Sequence, residues 1–189
     1  MPSNAPPLPR YALIQRLLHW LIAAIVLLAL ATGGTIGYLG FDGLRAEFGA
    51  AGTDFTYTTH KTLGVLILGL MVLRVAARLG LGKPGYAVPL PAPQRIASRA
   101  VHDLFYVLLL VMPVLGWLAT ASGGYPVHLF TIELPGLIDR NRELSDTLFF
   151  WHRVIGITIA GLIVLHVAGA LYHWWVRRDG VMRRMSLLR

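Results

Sequence analysis

The chain has 189 residues, 56% of them hydrophobic and only 14% charged, with a mean hydropathy of +0.62; it is too apolar for an ordinary soluble domain and reads as a membrane protein. Its net charge of +8 would suggest nucleic acid in a soluble protein, but the cations are distributed as a membrane topology signal, which argues against a nucleic-acid partner. With no cysteine in the chain, disulfides, thiolate metal sites and covalent haem attachment through a C-x-x-C-H sequence are excluded.

Four apolar runs, at about 17–39, 62–79, 102–120 and 149–173, approach the roughly 20 residues that a bilayer-spanning helix needs. They predict an all-α integral membrane four-helix bundle that occupies 1–189 as a single domain. The first run follows a short interfacial tail at 8–15 and carries Arg16 and His19 near its start. It is too long for a signal-peptide core and is expected to be retained. After an outer segment, His60 and Lys61 open the second run, which ends through Arg74 and Arg78. The stretch "GKPGYAVPLPAPQ", 82–94, is rich in Pro and Gly and is expected to be an extended connection.

His102 and Asp103 open the third run, where Pro113 removes a backbone hydrogen bond and predicts a kink before Gly116 and Trp117. His128 falls in the second outer segment and is expected to be an exposed loop residue without a role. The fourth run holds His152, His166 and His173. An even number of helices places both termini on one side with the 80–101 connection. That side has twelve Lys and Arg against two carboxylates, and the other has five against seven, giving +10 and −2. Because Lys and Arg are retained in cytoplasmic loops, both termini are expected in the cytoplasm.

The second and fourth runs begin alike. "HKTLGVLILGLMVLR", 60–74, and "HRVIGITIAGLIVLH", 152–166, share seven of fifteen positions, and both are expected to cross from outside to inside. Similar lipid-compatible composition explains part of this. Ionisable groups within a span are costly, however, and usually face the bundle interior for a functional purpose. His152 and His166 are fourteen residues apart, close to four helical turns, so they point the same way about 21 Å apart along the axis. Matching depth pairs His60 with His152 at the outer side and His19 with His166 at the inner side.

A bare zinc site would want four donors, and no pair has Asp, Glu or Cys at its depth. Haem needs only two axial ligands, because its ring supplies four nitrogens, and bis-histidine ligation leaves no open position, which suits electron transfer. Gly64 and Gly156, each four residues after an outer histidine, lie on the same face, where a flat macrocycle would need a missing side chain. Glycine also serves plain helix packing. Arg16 and Arg74 are candidate partners for haem propionates, and Lys61 and Arg153 follow the outer histidines, although long cations near a membrane face also snorkel. His102, with Asp103 beside it as a relay, and His173 fall at the cytoplasmic boundary, where they could bond a quinone and pass protons.

Taken together, "RLLHW", "HKTLG", "VHDLFYVLLLVMPVLGW", "WHRVIG" and "LHVAGALYHWWVRRDGVMRRM" resemble the bacterial cytochrome b561 family over almost the whole chain. The resemblance implies a four-helix, multi-pass inner-membrane protein with two non-covalent b-type haems. Carried over by position, His19 and His166 would be the inner haem ligands, and His60 and His152 the outer ones. His102, Arg74, Arg78 and His173 match further positions of the pattern, which implies a cytoplasmic-side quinone or propionate role. Members similar to this chain include a superoxide oxidase that passes electrons from superoxide through both haems to ubiquinone. The outer charge of −2 offers no broad attraction for that anion, but Lys61 and Arg153 would make a local positive funnel.

The leading expectation is therefore a superoxide:ubiquinone oxidoreductase-like conduit, oxidising a periplasmic donor and reducing ubiquinone or a related quinone. A second is a cytochrome b membrane anchor and electron relay for a partner dehydrogenase or hydrogenase. A third is a haem-free helical transporter whose histidines line a proton path.

Overall fold

The computed structural model describes residues 9–85 and 91–188. Backbone polar groups in a lipid interior must be satisfied within the chain, and the apolar runs meet that demand as helices. Helix α1, Leu13–Leu81, is 69 residues long and is interrupted at Gly40 and Gly49, whose φ of 66° and 68° lie in the left-handed region that favours glycine. Its two apolar arms lie side by side. Gln15 fixes this arrangement at one end, accepting from the Ala12 amide at 3.2 Å and donating to the carbonyls of Gly82 at 2.9 Å and Ala77 at 3.4 Å. Gly82, with φ of 66°, ends the helix. The outer segment after residue 39 is helical on either side of these two breaks. The expected tail at 8–15 is helical from Leu13, and Leu8 lies outside the described residues, as does Arg189 of the basic side.

Helix α2, Ala92–Ser122, begins ten residues before the expected start at 102. The prolines at 91 and 93 that suggested a loop instead open the helix, because a fixed φ and a missing N–H cost nothing in the first turn. Of the expected extended connection at 82–94, residues 86–90 lie outside the described residues and residues 92–94 are helical. The helix is continuous through Pro113. A short hairpin follows, β1 Val127–Leu129 paired antiparallel with β2 Ile132–Leu134. Helix α3, Arg142–Tyr172, starts on Asn141, whose side chain accepts from the Leu144 amide at 3.0 Å. A single π turn, His173–Arg177, and a 3₁₀ turn, Val181–Arg184, complete the chain.

All three helices are long and apolar enough to cross a membrane. Leu27, Leu28, Val72, Leu73, Val164 and Leu165 point outward, a surface suited to lipid. The core is formed by Leu18, Ile22 and Val26 from one arm of α1, Ile67 and Met71 from the other, Leu109 from α2 and Ile159 from α3. The hairpin closes one end of the helices through Thr62, which accepts from the Phe130 amide at 3.0 Å. The C-terminal tail closes the other: buried Arg184 donates to the carbonyls of Pro9, Pro84 and Gly85, and Trp20 to that of Met185.

Candidate functional site

At the hairpin end, His60 of α1 faces His152 of α3, with ring centres 6.0 Å apart and planes at 86°. His60 Nδ1 stands 3.1 Å from the Ala29 carbonyl and 3.2 Å from Thr32 Oγ1; His152 Nδ1 stands 3.0 Å from the Met112 carbonyl. A carbonyl can only accept, so each Nδ1 carries the proton and each Nε2 keeps its lone pair. One turn beyond each carbonyl lies a glycine. A Cβ on Gly33 would come within 2.6 Å of the His60 ring, and one on Gly116 within 2.9 Å of the His152 ring. Each imidazole is therefore seated against its neighbouring helix by a carbonyl at position i and a bare backbone at i+4. Neither glycine's role is legible in the sequence, because it depends on which helix stands opposite.

At the termini end, His19 of α1 faces His166 of α3 with ring centres 6.1 Å apart and planes at 73°. Arg74 lies beside this pair: Nη1 donates to the Gln15 carbonyl at 3.1 Å, Nη2 stands 3.4 Å from His19 Nδ1, and the guanidinium sits 5.9 Å from the centre of the Tyr106 ring. His102 and Phe105 meet the His166 ring edge-on, at 5.2 and 5.6 Å between centres.

These distances can be tested against a bound group. With about 2 Å for each metal–imidazole bond and about 1 Å from ring nitrogen to ring centre, one metal between two imidazoles needs about 6 Å between ring centres. Both pairs have that separation. Among the described residues no three His, Cys, Asp or Glu side chains gather closely enough to hold a bare ion. An apolar cavity at the hairpin-end pair is lined by His60, Gly64, Ile67, Leu109, Pro113, His152 and Ile159. A Cβ on Gly64 would meet nothing within 4 Å, so its face is open, whereas one on Gly156 would meet Met112 Cε at 3.2 Å. Among the described residues, Arg16 Nε and His128 Nδ1 are buried without a hydrogen-bond partner. Arg16 precedes His19 by one turn, and Thr62 contacts the His128 carbonyl at 3.5 Å two residues from His60. The unmet Arg16 nitrogen thus lies one turn from the His19–His166 pair, where a ring carboxylate would be received. The residues fit haem.

The remaining candidates divide. Lys61 Nζ donates to the Pro126 carbonyl at 2.7 Å and is tied to the hairpin approach, while Arg153 is exposed. Arg16 Nη1 donates to the Ser186 carbonyl at 2.8 Å. Arg78 is half-buried on α1. His102 Nδ1 bonds the Ser98 carbonyl at 2.5 Å and not the adjacent Asp103, because successive residues of a helix point about 100° apart. The carboxylate–histidine pair lies instead at His173, whose Nδ1 is 2.6 Å from Asp179 Oδ2; Arg177 Nε shares that oxygen at 3.1 Å, and the Val181 amide bonds Oδ1 at 3.2 Å. Burial pushes the Asp179 carboxyl up, but the bond to His173, the Val181 amide and the His173 and Arg177 charges together hold it below the usual carboxylate range. His128 sits in β1 opposite Glu133, half-buried rather than in an exposed loop.

A family model described as prokaryotic cytochrome b561 matches residues 10–186. "Cytochrome b561 homolog 2" of Escherichia coli (strain K12) is 29% identical over 97% of this chain and 93% of its own length. "Probable superoxide oxidase CybB" of Yersinia pestis is 27% identical over 93% of this chain and 95% of its own. "Cytochrome b562" of Cereibacter sphaeroides is 28% identical, covering 94% and 95%.

Proposed function

The chain belongs to the prokaryotic cytochrome b561 family, and on that premise we propose that it is a two-haem electron conduit with four crossings of the bacterial inner membrane. The crossings are the two arms of α1, then α2 and α3. When bound, each haem supplies a one-electron carrier with no open coordination position. His60 and His152 hold one haem at the hairpin end, and His19 and His166 hold the other at the termini end. The observation that carries this reading is the repeated separation: two imidazole pairs, 6.0 and 6.1 Å between centres, each joining α3 to one arm of α1. Gly64 leaves room for the ring at the hairpin end, whereas Gly156 packs against Met112 instead, and Arg16 and Arg74 would meet ring carboxylates at the other.

The termini face the cytoplasm and the hairpin lies outside, a reading that the cationic imbalance supports. Electrons enter from a small outer donor, and the relative from Yersinia pestis, by its name, points to superoxide. Exposed Arg153 and half-buried Lys61, each following a histidine of the outer pair in the chain, draw the anion toward that pair. Quinone is reduced at the cytoplasmic boundary among His102, Asp103, Arg78 and His173. There Asp179 holds the His173 Nδ1 proton and leaves Nε2 to exchange protons with the quinone. Two superoxide ions yield two molecules of dioxygen and two electrons; the quinone takes those electrons with two protons and leaves as quinol.

Purified protein supplied with superoxide and a short-chain ubiquinone should show haem reduction in the visible bands and form one quinol for every two superoxide ions consumed. If superoxide leaves the haems oxidised while a co-purifying soluble redox subunit reduces them, the chain is a membrane anchor and relay for that subunit instead.

A further inference from the structure

Where the first arm of α1 nears the hairpin end, an open groove of about 610 Å³ runs along it. Its floor is Leu30, Ala31, Gly34, Thr35 and Tyr38, whose one- and four-residue steps keep them on a single helix face. A Cβ on Gly34 would meet nothing within 4 Å, so the floor is hollow there. Thr35 Oγ1 turns back to donate to the Ala31 carbonyl at 2.9 Å, which leaves the floor apolar. At about 1.5 Å per residue the floor spans about 12 Å, most of one leaflet of a hydrocarbon core about 30 Å thick. Beyond the break at Gly40, Glu47 and Phe48 complete the lining. Glu47 is its one carboxylate, and among the described residues it forms no ion pair. Tyr38, 88% exposed, stands at the end of the floor nearest Gly40, as aromatic residues do at headgroup level.

We infer that this groove holds one phospholipid of the outer leaflet, with an acyl chain over Gly34 and a primary ammonium headgroup, that of phosphatidylethanolamine, on Glu47. A carboxylate takes only cations or donors, and this one stands on the side of the molecule whose charges sum to −2. An anionic headgroup would bring like charge to it. An oxidised quinone ring offers only acceptors, which cannot pair with a carboxylate. A primary ammonium offers three donors and a full charge where the apolar floor ends. The inference rests on the membrane placement proposed above and not on the haems.

Photo-cross-linking tests it in proteoliposomes of the haem-loaded protein, doped with phosphatidylethanolamine or phosphatidylglycerol that carries a diazirine on one acyl chain. Mass spectrometry of the digested protein reads the labelling of residues 30–48. The ethanolamine probe should label this stretch about two- to fivefold more than the glycerol probe, the worth of an exposed ion pair. Glu47→Gln should bring the two probes level, and Glu47→Lys should reverse their order. Gly34→Leu, which fills the floor, should cut labelling by both, and haem content equal to the parent's in these variants shows an intact fold. Equal labelling by the two probes in the parent, or a preference that survives Glu47→Gln, would overturn the assignment. Residues 30–48 left unlabelled while other helix faces are labelled, or cross-linked there to a second polypeptide, would give the groove to a partner helix and overturn this inference alone. No labelling of any helix by either probe would overturn the membrane placement itself.

Discussion

Replacing Gly33 by Ala should strip the hairpin-end pair of its haem and spare the other centre. The added Cβ would lie 2.6 Å from His60 Cε1 and 3.2 Å from its Nδ1. Carbon atoms pack best at about 3.5–4.0 Å, so the ring must move by about 1 Å. It can do so only by giving up its bonds to the Ala29 carbonyl and Thr32. Overpacking costs about 1–3 kcal/mol, and a lost hydrogen bond adds about 1 kcal/mol. The sum, about 2–4 kcal/mol against the ligating position, corresponds to roughly thirty-fold to several-hundred-fold weaker haem binding. Gly34→Ala, one residue away, supplies the control, since a Cβ there meets nothing within 4 Å. Titrating haemin into the apoprotein should therefore give two equivalents for Gly34→Ala and one tight equivalent for Gly33→Ala. Two equally tight equivalents in both variants would refute the seating of His60 against Gly33.

Other expectations follow from the same contacts. Arg16→Gln removes the unpaired buried Nε, and haem retention at the termini end should fall about ten- to a hundred-fold, the worth of a charged hydrogen bond, as read from haem loss in dialysis. Arg153→Gln should lower the rate constant with superoxide several-fold and flatten its dependence on ionic strength, as measured by stopped flow, and Lys61→Gln should do less because Lys61 already serves the Pro126 carbonyl. The Asp179 carboxyl lies below its ordinary value in the folded chain, so the stability it contributes is complete above the unfolded carboxylate value of about 3.9 and is lost as pH falls through the folded one. Melting curves should show an acid-side loss of stability in the parent protein that Asp179→Asn lacks, while the variant is the less stable of the two at neutral pH.

Much of the site could be read in the sequence, for a physical reason. Histidine is costly inside a membrane span, so His60, His152 and His166 stand out from apolar surroundings, and helical pitch sets the separation of His152 and His166, while the repeat matches the depth of His60 to that of His152. Helical structure between residues 40 and 61 was hidden because polar residues and glycines there show no apolar period, although Gly40 and Gly49 mark where the backbone breaks. Pro91 and Pro93 looked like loop residues because proline opens helices as readily as it ends them. The roles of Gly33 and Gly116 could not be read before α1 and α2 were known to stand against the histidines. Asp103, adjacent to His102 in the chain, drew the relay assignment, while the true partner of a histidine, Asp179, sits six residues beyond His173 across a π turn.

Haem content per chain, measured by visible spectroscopy against protein mass in the parent protein and in His152→Ala and His166→Ala, tests the central claim most directly. The paired geometry predicts two b-type haems in the parent protein and one in each variant, with a different component of the spectrum lost in each. A parent protein that binds one haem, or a variant that keeps both, would contradict the pairing; a protein that binds none would return the histidines to a proton path.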